Sequence, residues 1–222
     1  SLEKSDAVIK GYITFMDKAS MLVARLVNPQ PGERVLDCCA APGGKSMYMA
    51  ALMDNTGSLM SCDIHEHKIA LMESNAQRLG ISIVQTKVQD ATELPSAWKS
   101  YFDRVLVDAP CSGLGILQKK LDMRWRKDES TLSELPPLQL AILERASMTV
   151  KETGYLVYST CTLNYKENED VVEAFLQKHK EFSIVPVGTD FPLKSNNGMI
   201  TTYPLQMIWM VSLWLKCNVY LN

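Results

Sequence analysis

The sequence lacks the features of membrane-spanning, secreted and zinc-binding chains. No apolar run approaches the roughly 18 residues that a membrane-spanning helix needs, and the charged start, residues 1–4, has no signal-peptide core. The six cysteines form no CxxC pair and only three histidines are present, so zinc-site spacing is absent and no metal site is predicted. We therefore expect a cytoplasmic protein with reduced thiols.

Positive charge is also scarce. The formal net charge is −2, which argues against a protein that holds nucleic acid by bulk electrostatics. An RNA substrate would need a local basic patch or a region that this sequence does not contain. The length of 222 residues and the apolar fraction of 46% are those of an ordinary globular protein with one α/β domain.

Apolar strand-like runs alternate with helix-like periodic stretches. Strands are predicted at residues 34–38, 57–63, 81–86, 102–108 and 154–159, and helices at 45–53, 67–79, 137–151 and 164–178. This alternation predicts right-handed βαβ units and a mainly parallel sheet with helices on both faces. Residues 1–30 are predicted to be a lead-in with one helix, and residues 31–222 a single domain.

A glycine-containing turn follows the first predicted strand and is the candidate cofactor loop. Its residues are Cys39, Ala40, Ala41, Pro42, Gly43, Gly44 and Lys45. Small residues let a ligand approach the backbone closely, and the next helix offers N–H groups at its start. The pattern is not GxGxxG, and Cys39 stands where a P-loop has its first glycine, so neither nucleotide motif is supported.

Two acidic residues follow the next strands. Asp63 ends the second strand and is placed to accept bonds from two ribose hydroxyls, although it is equally placed to cap the helix that starts near His65. Asp90, just past the third strand, is placed to accept a bond from an adenine amino group. A nucleoside-bearing ligand without a phosphate cradle indicates S-adenosylmethionine.

Cys111 and Cys161 follow the ends of the fourth and fifth strands, which are neighbours in a doubly wound sheet. A cysteine is usually a small buried apolar residue, but two at strand ends beside a cofactor loop indicate catalysis. A thiolate that adds to carbon 6 of cytosine makes carbon 5 nucleophilic enough to take a methyl group from a sulfonium. Asp108 is placed to offset the charge that develops on the ring. The dipole of a helix starting at Asn164 would lower the pKa of Cys161.

Three segments resemble the signature motifs of the Nol/Nop/Sun family of RNA cytosine-C5 methyltransferases: residues 39–45, 108–113 and 159–162. Residues 11–17 and 19–24 are similar to its bacterial Sun branch, which acts on 16S ribosomal RNA. The resemblance implies a Rossmann-like class I S-adenosylmethionine-dependent methyltransferase, with a mainly parallel seven-stranded sheet. It also implies a 5-methylcytosine product.

The same resemblance implies roles for single residues. The cysteine of the Thr-Cys motif, Cys161, is the nucleophile, and the Pro-Cys cysteine, Cys111, assists product release. DNA cytosine-C5 methyltransferases use the Pro-Cys thiol as nucleophile instead. Lys45 is expected in the active site near Asp108, and the expected cofactor contacts come from the loop and from Asp63, Lys68, Asp90 and Asp108.

A basic segment follows the Pro-Cys motif and is the candidate RNA contact. Its members are Lys119, Lys120, Arg124, Trp125, Arg126 and Lys127. Five cations with one indole ring suit a phosphate track with a stacking platform, although a solvated basic loop has the same composition. Leu121 stands where the family usually has proline.

Two departures from the family pattern affect the domain organisation. Sun enzymes carry an N-terminal RNA-binding region of the NusB type, and no segment here corresponds to it. We therefore expect the catalytic part of a longer protein, monomeric and weak in RNA binding on its own. The tail from about Met207 also differs, and shifting plausible codons by one base yields the family ending N-D-M-D-G-F-F-V-A-K-M. This indicates a frameshift.

Three alternatives remain open at this point. The first is a methyltransferase of the same fold that acts on another RNA, on DNA cytosine or on a protein. The second is a non-catalytic RNA-binding module, against which the intact cysteines and cofactor loop argue. The third is a nicotinamide oxidoreductase, which lacks its expected GxGxxG motif.

Overall fold

The computed structural model describes residues 5–114, 129–185, 199–201 and 211–217. The strands are β1 Arg34–Asp37, β2 Ser58–Asp63, β3 Val84–Val88, β4 Phe102–Asp108, β5 Val150–Thr160, β6 Phe182–Ile184, β7 Met199–Thr201 and β8 Val211–Cys217. The helices are α1 Asp6–Ile9, α2 Lys18–Val27, α3 Gly44–Leu52, α4 Glu66–Arg78, α5 Glu129–Ser147 and α6 Glu169–Lys178. Two 3₁₀ turns lie at Ser96–Trp98 and Tyr165–Glu167.

The strands form one sheet in the order β3-β2-β1-β4-β5-β8-β6, and β7 pairs with β8 outside this path. The first five strands are parallel, whereas β8 runs antiparallel to β5, β6 and β7. The predicted Rossmann-like, mainly parallel fold is therefore confirmed. The predicted number of strands, seven, was wrong: the described residues form eight strands, five of them in the parallel part and three joined by antiparallel pairing. The departing tail still supplies β8, between β5 and β6.

Alternating strand residues bury opposite faces of the sheet. Val35, Leu106 and Val157 pack with residues of α2 and α3 on one face. Their neighbours Leu36 and Leu156 pack with residues of α5 and α6 on the other. Strands covered on both faces must be apolar on both sides, which explains their continuous apolar runs. The two cores leave the carboxyl ends of β1, β2, β4 and β5 at one edge.

Two element boundaries differ from the prediction on the α5 side. Helix α5 begins at Glu129 and contains Pro136 and Pro137, whereas the sequence predicted a start at Pro137. The prediction was wrong because it placed Pro137 in the first helical turn, where proline is favoured, whereas both prolines lie inside the helix. β5 begins at Val150 rather than residue 154, and a register shift between Phe102 and Arg104 accommodates the extra residues.

β3 and α4 also shift slightly. β3 occupies Val84–Val88 rather than residues 81–86, because Ile81 and Ile83 pack against the core before the strand begins. Helix α4 ends at Arg78, and Gly80 follows with a φ of +68°. Glycine adopts this left-handed conformation without a Cβ clash, which suits a residue just past the end of a helix.

None of the helices within the described ranges has both the length and the apolar character that a membrane crossing requires. The same residues contain no group of three or more His, Cys, Asp or Glu side chains that could hold a metal ion.

Candidate active site

The predicted site residues of the cofactor loop and the two cysteine motifs lie at one edge of the sheet. β1 ends at Asp37, β2 at Asp63, β4 at Asp108 and β5 at Thr160. Because these strands are parallel neighbours, their carboxyl ends meet at the same edge, where doubly wound sheets bind ligands. We call residues 109–114 the Cys111 loop and residues 161–164 the Cys161 loop.

The cofactor loop turns sharply between β1 and α3. Gly43 caps α3 with a φ of +97°, and a Cβ there would lie 2.8 Å from Cγ of Met72. Glycine at this position therefore allows both the left-handed turn and the close approach of α3 to α4. A Cβ on Gly44, in contrast, would meet no described atom within 4 Å, so this side of the turn faces open space.

The two cysteine sulfurs converge. Cys111 Sγ lies 3.2 Å from Cys161 Sγ, and the backbone N–H of Cys161 donates to Cys111 Sγ at 3.3 Å. Both side chains are partly exposed and reduced. The sequence predicted that both thiols face one pocket, and this distance meets that geometric expectation. The individual roles of the two thiols stay predictions.

The environment divides the two thiols into a more acidic and a less acidic group. The hydrogen bond from Cys111 lowers the pKa of the Cys161 thiol, and the Lys45 ammonium acts in the same direction against burial and Asp108. The same hydrogen bond and burial raise the pKa of Cys111. The arrangement therefore favours one thiolate, at Cys161, beside one neutral thiol.

The predicted α-helix at Asn164 does not begin there. Asn164 caps the 3₁₀ turn Tyr165–Glu167 by accepting from the N–H of Lys166, and α6 starts only at Glu169. The pKa of Cys161 is thus lowered by its immediate neighbours, Cys111 above all, and not by a helix that starts three residues after it.

Lys45 and Asp108 meet, as expected from the resemblance. Lys45 Nζ donates to Asp108 Oδ2 at 2.7 Å, and Ser159 Oγ donates to Asp108 Oδ1 at 2.7 Å. Burial alone would lower the pKa of Lys45, but the Asp108 carboxylate more than offsets this and raises it. The pair therefore places a fixed carboxylate and a permanent ammonium beside the two sulfurs.

Asp63 has the position predicted for a ribose contact, but it does not cap α4, whose N-cap is His65 and has no side-chain cap bond. Its Oδ1 accepts from the backbone N–H of His65 at 3.0 Å, contacts His65 Nδ1 at 3.0 Å and lies 3.6 Å from Lys68 Nζ. Burial raises the pKa of Asp63, but these neighbours together bring it below its ordinary value. The alternative reading of Asp63 as a helix cap is therefore wrong, and its contact with a ribose stays a prediction.

Asp90 follows β3 by two residues and is held by its own turn. Its Oδ1 accepts from the N–H of Thr92 at 2.8 Å and from Thr92 Oγ1 at 2.7 Å. The side-chain bond from Thr92 lowers the pKa of Asp90. The turn keeps an ionised carboxylate near the end of β3, and its contact with an adenine group stays a prediction. The predicted RNA-binding residues, 119–127, lie outside the described residues.

Asp37 was not singled out by the sequence analysis. It is fully buried, and burial raises its pKa from 3.8 to about 7 although Ser46 Oγ donates to its Oδ2 at 2.7 Å. Ser61 Oγ donates in turn to Ser46 Oγ at 2.9 Å. Asp37 Oδ1 has no hydrogen-bond partner among the residues that the structure describes. The signal that could have identified Asp37 in the sequence is its position at the end of β1, directly before the cofactor loop.

Glu167 falls inside the helix predicted for residues 164–178, and the sequence indicated no role for it. The structure buries it completely, and its carboxylate contacts both cysteine loops. Its sequence surroundings, Lys166 to Asp170, contain four charged residues and are typical of a solvated helix start. No local pattern could therefore have marked this one carboxylate as buried.

Known proteins resemble the chain over most of its length. Residues 24–210 match the family described as 16S rRNA methyltransferase RsmB/F. A probable ribosomal RNA small subunit methyltransferase B from Bacillus subtilis is 46% identical over 173 residues, which cover 78% of this chain and 39% of that protein. A 28S rRNA (cytosine(4447)-C(5))-methyltransferase from Homo sapiens is 38% identical over 187 residues, covering 82% and 23%. The chain thus spans less than half the length of these curated relatives.

A solved structure has the same fold. The crystal structure of NSun6 from Pyrococcus horikoshii with SFG superposes with a TM-score of 0.87 at 30% identity. The match covers 98% of this chain and 56% of that one. The likeness therefore extends over the sheet, the cofactor loop and both cysteine loops together.

Proposed function

The chain belongs to the 16S rRNA methyltransferase RsmB/F family, and from this premise we propose that it methylates carbon 5 of a cytosine in RNA, using S-adenosylmethionine. The observation that carries the proposal is the 3.2 Å separation of the Cys111 and Cys161 sulfurs. The paired Lys45 and Asp108 beside them support it further. The human relative, named as a 28S rRNA cytosine-C5-methyltransferase, supports the reaction type.

The residues at the sheet edge fit S-adenosylmethionine. The Gly43–Gly44 turn leaves open space that a Cβ would begin to fill, and carboxylates of Asp63 and Asp90 follow β2 and β3. A carboxylate at the end of β2 suits a ribose diol, and the sequence contains neither of the two phosphate-binding motifs considered. SFG, an analogue of S-adenosylmethionine, is present in the NSun6 structure and supports the same choice. S-adenosylmethionine, when bound, supplies an electrophilic methyl group.

Cys161 acts as the nucleophile. Its thiolate adds to carbon 6 of the cytosine, and the sulfur–carbon bond forms as the ring double-bond electrons move to carbon 5. Carbon 5 takes the methyl group from a sulfonium, whose sulfur keeps the electrons of the broken bond. Carbon 5 then loses its proton to solvent water as the bond between Cys161 sulfur and carbon 6 breaks and the thiolate returns. The lowered pKa of Cys161 favours the attacking form. Cys111, beside that bond, assists the release.

Asp108 and Lys45 stabilise the ring while it carries the added sulfur. Addition at carbon 6 places negative charge on the ring toward N3, and a proton donated to N3 offsets it. Asp108 donates this proton in its protonated form, and the Lys45 ammonium bonded to it is the neighbouring source of the proton. Bonds from Lys45 and Ser159 hold the Asp108 carboxylate in one orientation. Lys45 also supplies the positive charge that keeps a carboxylate and a thiolate together in one partly buried site.

The substrate is proposed to be 16S ribosomal RNA, as the name of the Bacillus subtilis relative suggests. The target base must leave its stack to reach the sheet edge, and the basic segment of residues 119–127 is proposed to hold the neighbouring phosphates. Residues 31–222 are the catalytic domain in this proposal. A ribosomal RNA substrate would place the reaction in the cytoplasm.

RNA containing 5-fluorocytidine tests the reaction, because fluorine at carbon 5 cannot leave as a proton and the Cys161 adduct persists. We expect an adduct stable to denaturing electrophoresis with the wild type and Cys111→Ala, none with Cys161→Ala, and none without S-adenosylmethionine. Loss of the adduct in Cys111→Ala alone would reverse the two thiol roles. Adducts with fluorocytidine DNA but not RNA would contradict the RNA substrate. Absence of S-adenosylmethionine binding by calorimetry would indicate a non-catalytic module.

A second measurement tests the RNA species. Ribosomal RNA lacking modifications is incubated with methyl-labelled S-adenosylmethionine, and the labelled nucleotide is mapped. Label at one cytosine of 16S RNA is the expected result, whereas label confined to another RNA would retain the chemistry and overturn the assigned substrate.

A further inference from the structure

Glu167 lies fully buried between the two cysteine loops, and neutral donors from both loops converge on it. Its Oε2 accepts from the backbone N–H of Ser112 at 2.8 Å and from Gln139 Nε2 at 3.0 Å. Its Oε1 accepts from Asn164 Nδ2 at 3.0 Å and from Thr162 Oγ1 at 3.4 Å. An ionised carboxylate has acceptor sites on both oxygens and no hydrogen, so it can receive all four donors together.

These bonds enclose Cys111 on both sides. Ser112, whose N–H reaches Glu167, directly follows Cys111. Pro110, which directly precedes it, accepts at its carbonyl from the same Gln139 Nε2 that contacts Glu167, at 2.9 Å. The peptide groups before and after Cys111 are therefore tied to one buried carboxylate, and its sulfur has little freedom to move away.

The Cys161 loop is tied to the same point. Thr162, which follows Cys161, contacts Glu167 Oε1 and lies 2.6 Å from Ser112 through the two hydroxyl oxygens. The residue after each cysteine thus meets the other at the carboxylate. This junction spans the two loops whose thiols lie 3.2 Å apart.

A buried carboxylate costs free energy in this place, so its presence indicates that its geometry is needed. Burying a charged group away from water is unfavourable, and hydrogen bonds recover the cost only when all of them are well formed. The partners that the structure describes for Glu167 are neutral. A neutral amide would satisfy packing at lower cost, but it cannot accept bonds at both of its terminal atoms.

We propose that Glu167 is a positioning residue that holds Cys111 against Cys161. It acts through Ser112, Gln139 and Thr162 and does not touch the substrate. Its catalytic consequence rests on the proposed function, since only a reaction that uses both thiols depends on their separation. Its structural consequence, the approach of the sulfurs, stands apart from that function and is measured separately.

Glu167→Gln is the primary test. One oxygen becomes an NH₂ group that must face donors, and the N–H of Ser112 belongs to the backbone and cannot turn away. We expect kcat for RNA methylation to fall by about 10- to 100-fold, as for catalytic groups displaced by a fraction of an ångström. KM for RNA and for S-adenosylmethionine should stay within about twofold of the wild type, since Glu167 does not bind either one.

The sulfur separation is measured without substrate. Diamide oxidises two neighbouring thiols to a disulfide, and the rate of Cys111–Cys161 disulfide formation, followed by mass spectrometry, depends on how readily the sulfurs meet. We expect Glu167→Gln to slow this reaction at least about fivefold. A rate equal to that of the wild type would overturn the proposal, whatever happens to kcat.

Tyr158→Phe is the matched control. Tyr158 is buried, and its hydroxyl donates to the backbone carbonyl of Glu167 at 2.7 Å without touching the carboxylate junction. It removes one buried hydrogen bond of Glu167 and leaves the four acceptor contacts intact. We expect lower thermal stability but an unchanged disulfide rate. An equal loss of disulfide rate in both variants would indicate a merely structural role and overturn the proposal.

Gln139→Met gives a second variant in case Glu167→Gln does not fold. It keeps the side-chain length but removes the donor shared by Pro110 and Glu167. A smaller decrease in disulfide rate and in kcat is expected, and no decrease in disulfide rate would count against the proposal. If the wild type does not methylate RNA while Glu167→Gln still slows disulfide formation, the proposed function fails and the positioning inference stands.

Discussion

Each of the two neighbouring thiols changes the proton affinity of the other. Cys111 lowers the pKa of Cys161 by hydrogen bonding, and Lys45 adds to the effect. The remaining described cysteines differ: burial raises the pKa of Cys62 to about 12 and those of Cys38 and Cys39 well above the ordinary value. The thiolate is the nucleophilic form of cysteine, so Cys161, whose pKa is lowered, is chemically distinct from these three buried thiols.

Cys111→Ala is predicted to raise the pKa of Cys161. The substitution removes the hydrogen bond that is the largest cause of the lowered value, so the alkylation rate should rise at higher pH than in the wild type. The measurement is the iodoacetamide reaction of Cys161 from pH 6 to 10, followed by peptide mass spectrometry. Cys62→Ala, in the core, should leave the midpoint unchanged. Identical midpoints in Cys111→Ala and the wild type would refute the coupling.

Asp37→Asn is predicted to change how stability depends on pH. The folded-state pKa of Asp37 is raised from 3.8 to about 7, so the folded protein binds more protons than the unfolded chain between these values. The contribution of Asp37 to stability is therefore most favourable below pH 4, declines as the pH rises, and is constant above about pH 7.

The Asp37 effect is measured by urea unfolding between pH 4 and 8. The free energy of unfolding of Asp37→Asn minus that of the wild type should increase as the pH rises across this range, by at most about 4 kcal/mol. The comparison uses the slope of this difference against pH, because the altered hydrogen bond from Ser46 shifts the values at every pH equally. A stability difference for Asp37→Asn that does not change with pH would contradict the raised pKa.

At the scale of elements, two adjacent glycines in the turn between β1 and α3 meet two different requirements. Gly43 needs the left-handed conformation and lies against Met72 of α4. Gly44 opens α3 on a side where a Cβ would meet open space. The first glycine serves the packing of two helices, and the second serves access for the proposed cofactor.

Gly43→Ala and Gly44→Ala are predicted to have opposite effects. Gly43→Ala should reduce the free energy of unfolding by about 1–3 kcal/mol, because of the positive φ and the Met72 contact. Gly44→Ala should leave stability equal or higher, since alanine favours helices, but weaken S-adenosylmethionine binding. Chemical unfolding and calorimetry give the two quantities. Equal stability loss in both variants would argue against the assigned division of roles.

At the scale of the whole molecule, the net charge does not favour binding of the proposed RNA substrate. The net charge is −2, so long-range attraction to RNA is weak. Contacts with RNA must then be local, and the basic segment of residues 119–127, which follows the Cys111 loop in the sequence, is the candidate for them. The matched residues cover only 39% of the Bacillus subtilis relative, so that longer protein has room for further RNA contacts.

The double variant Lys119→Ala with Lys120→Ala is predicted to weaken RNA binding and its dependence on salt. Each lost phosphate contact should reduce the slope of log K against log salt by about 0.7 for single-stranded RNA. The double variant Lys178→Ala with Lys180→Ala, at the far end of α6, removes the same charge and should change neither. Fluorescence anisotropy at several salt concentrations measures the slopes. Equal slopes in the two double variants would show that residues 119–120 do not contact phosphate.

The sequence by itself determined the architecture and the edge on which the chemistry lies. Alternation of apolar strands with amphipathic helices leads to parallel neighbours, and parallel strands bring their carboxyl ends together. Asp63, Asp108 and Cys161 could therefore be assigned to one edge from their positions after β2, β4 and β5. The three motifs pointed to the family, which the match over residues 24–210 confirmed.

Only the tertiary structure decided which charged groups are buried and how closely the sulfurs meet. Glu167 sits in a run of charged residues, and Asp37 at an ordinary strand end, yet both are fully buried. Burial depends on the elements that pack over a residue from distant parts of the chain, as α5 brings Gln139 to Glu167. Local composition does not contain those distances, so neither the carboxylate junction nor the 3.2 Å sulfur contact could be derived from the order of residues.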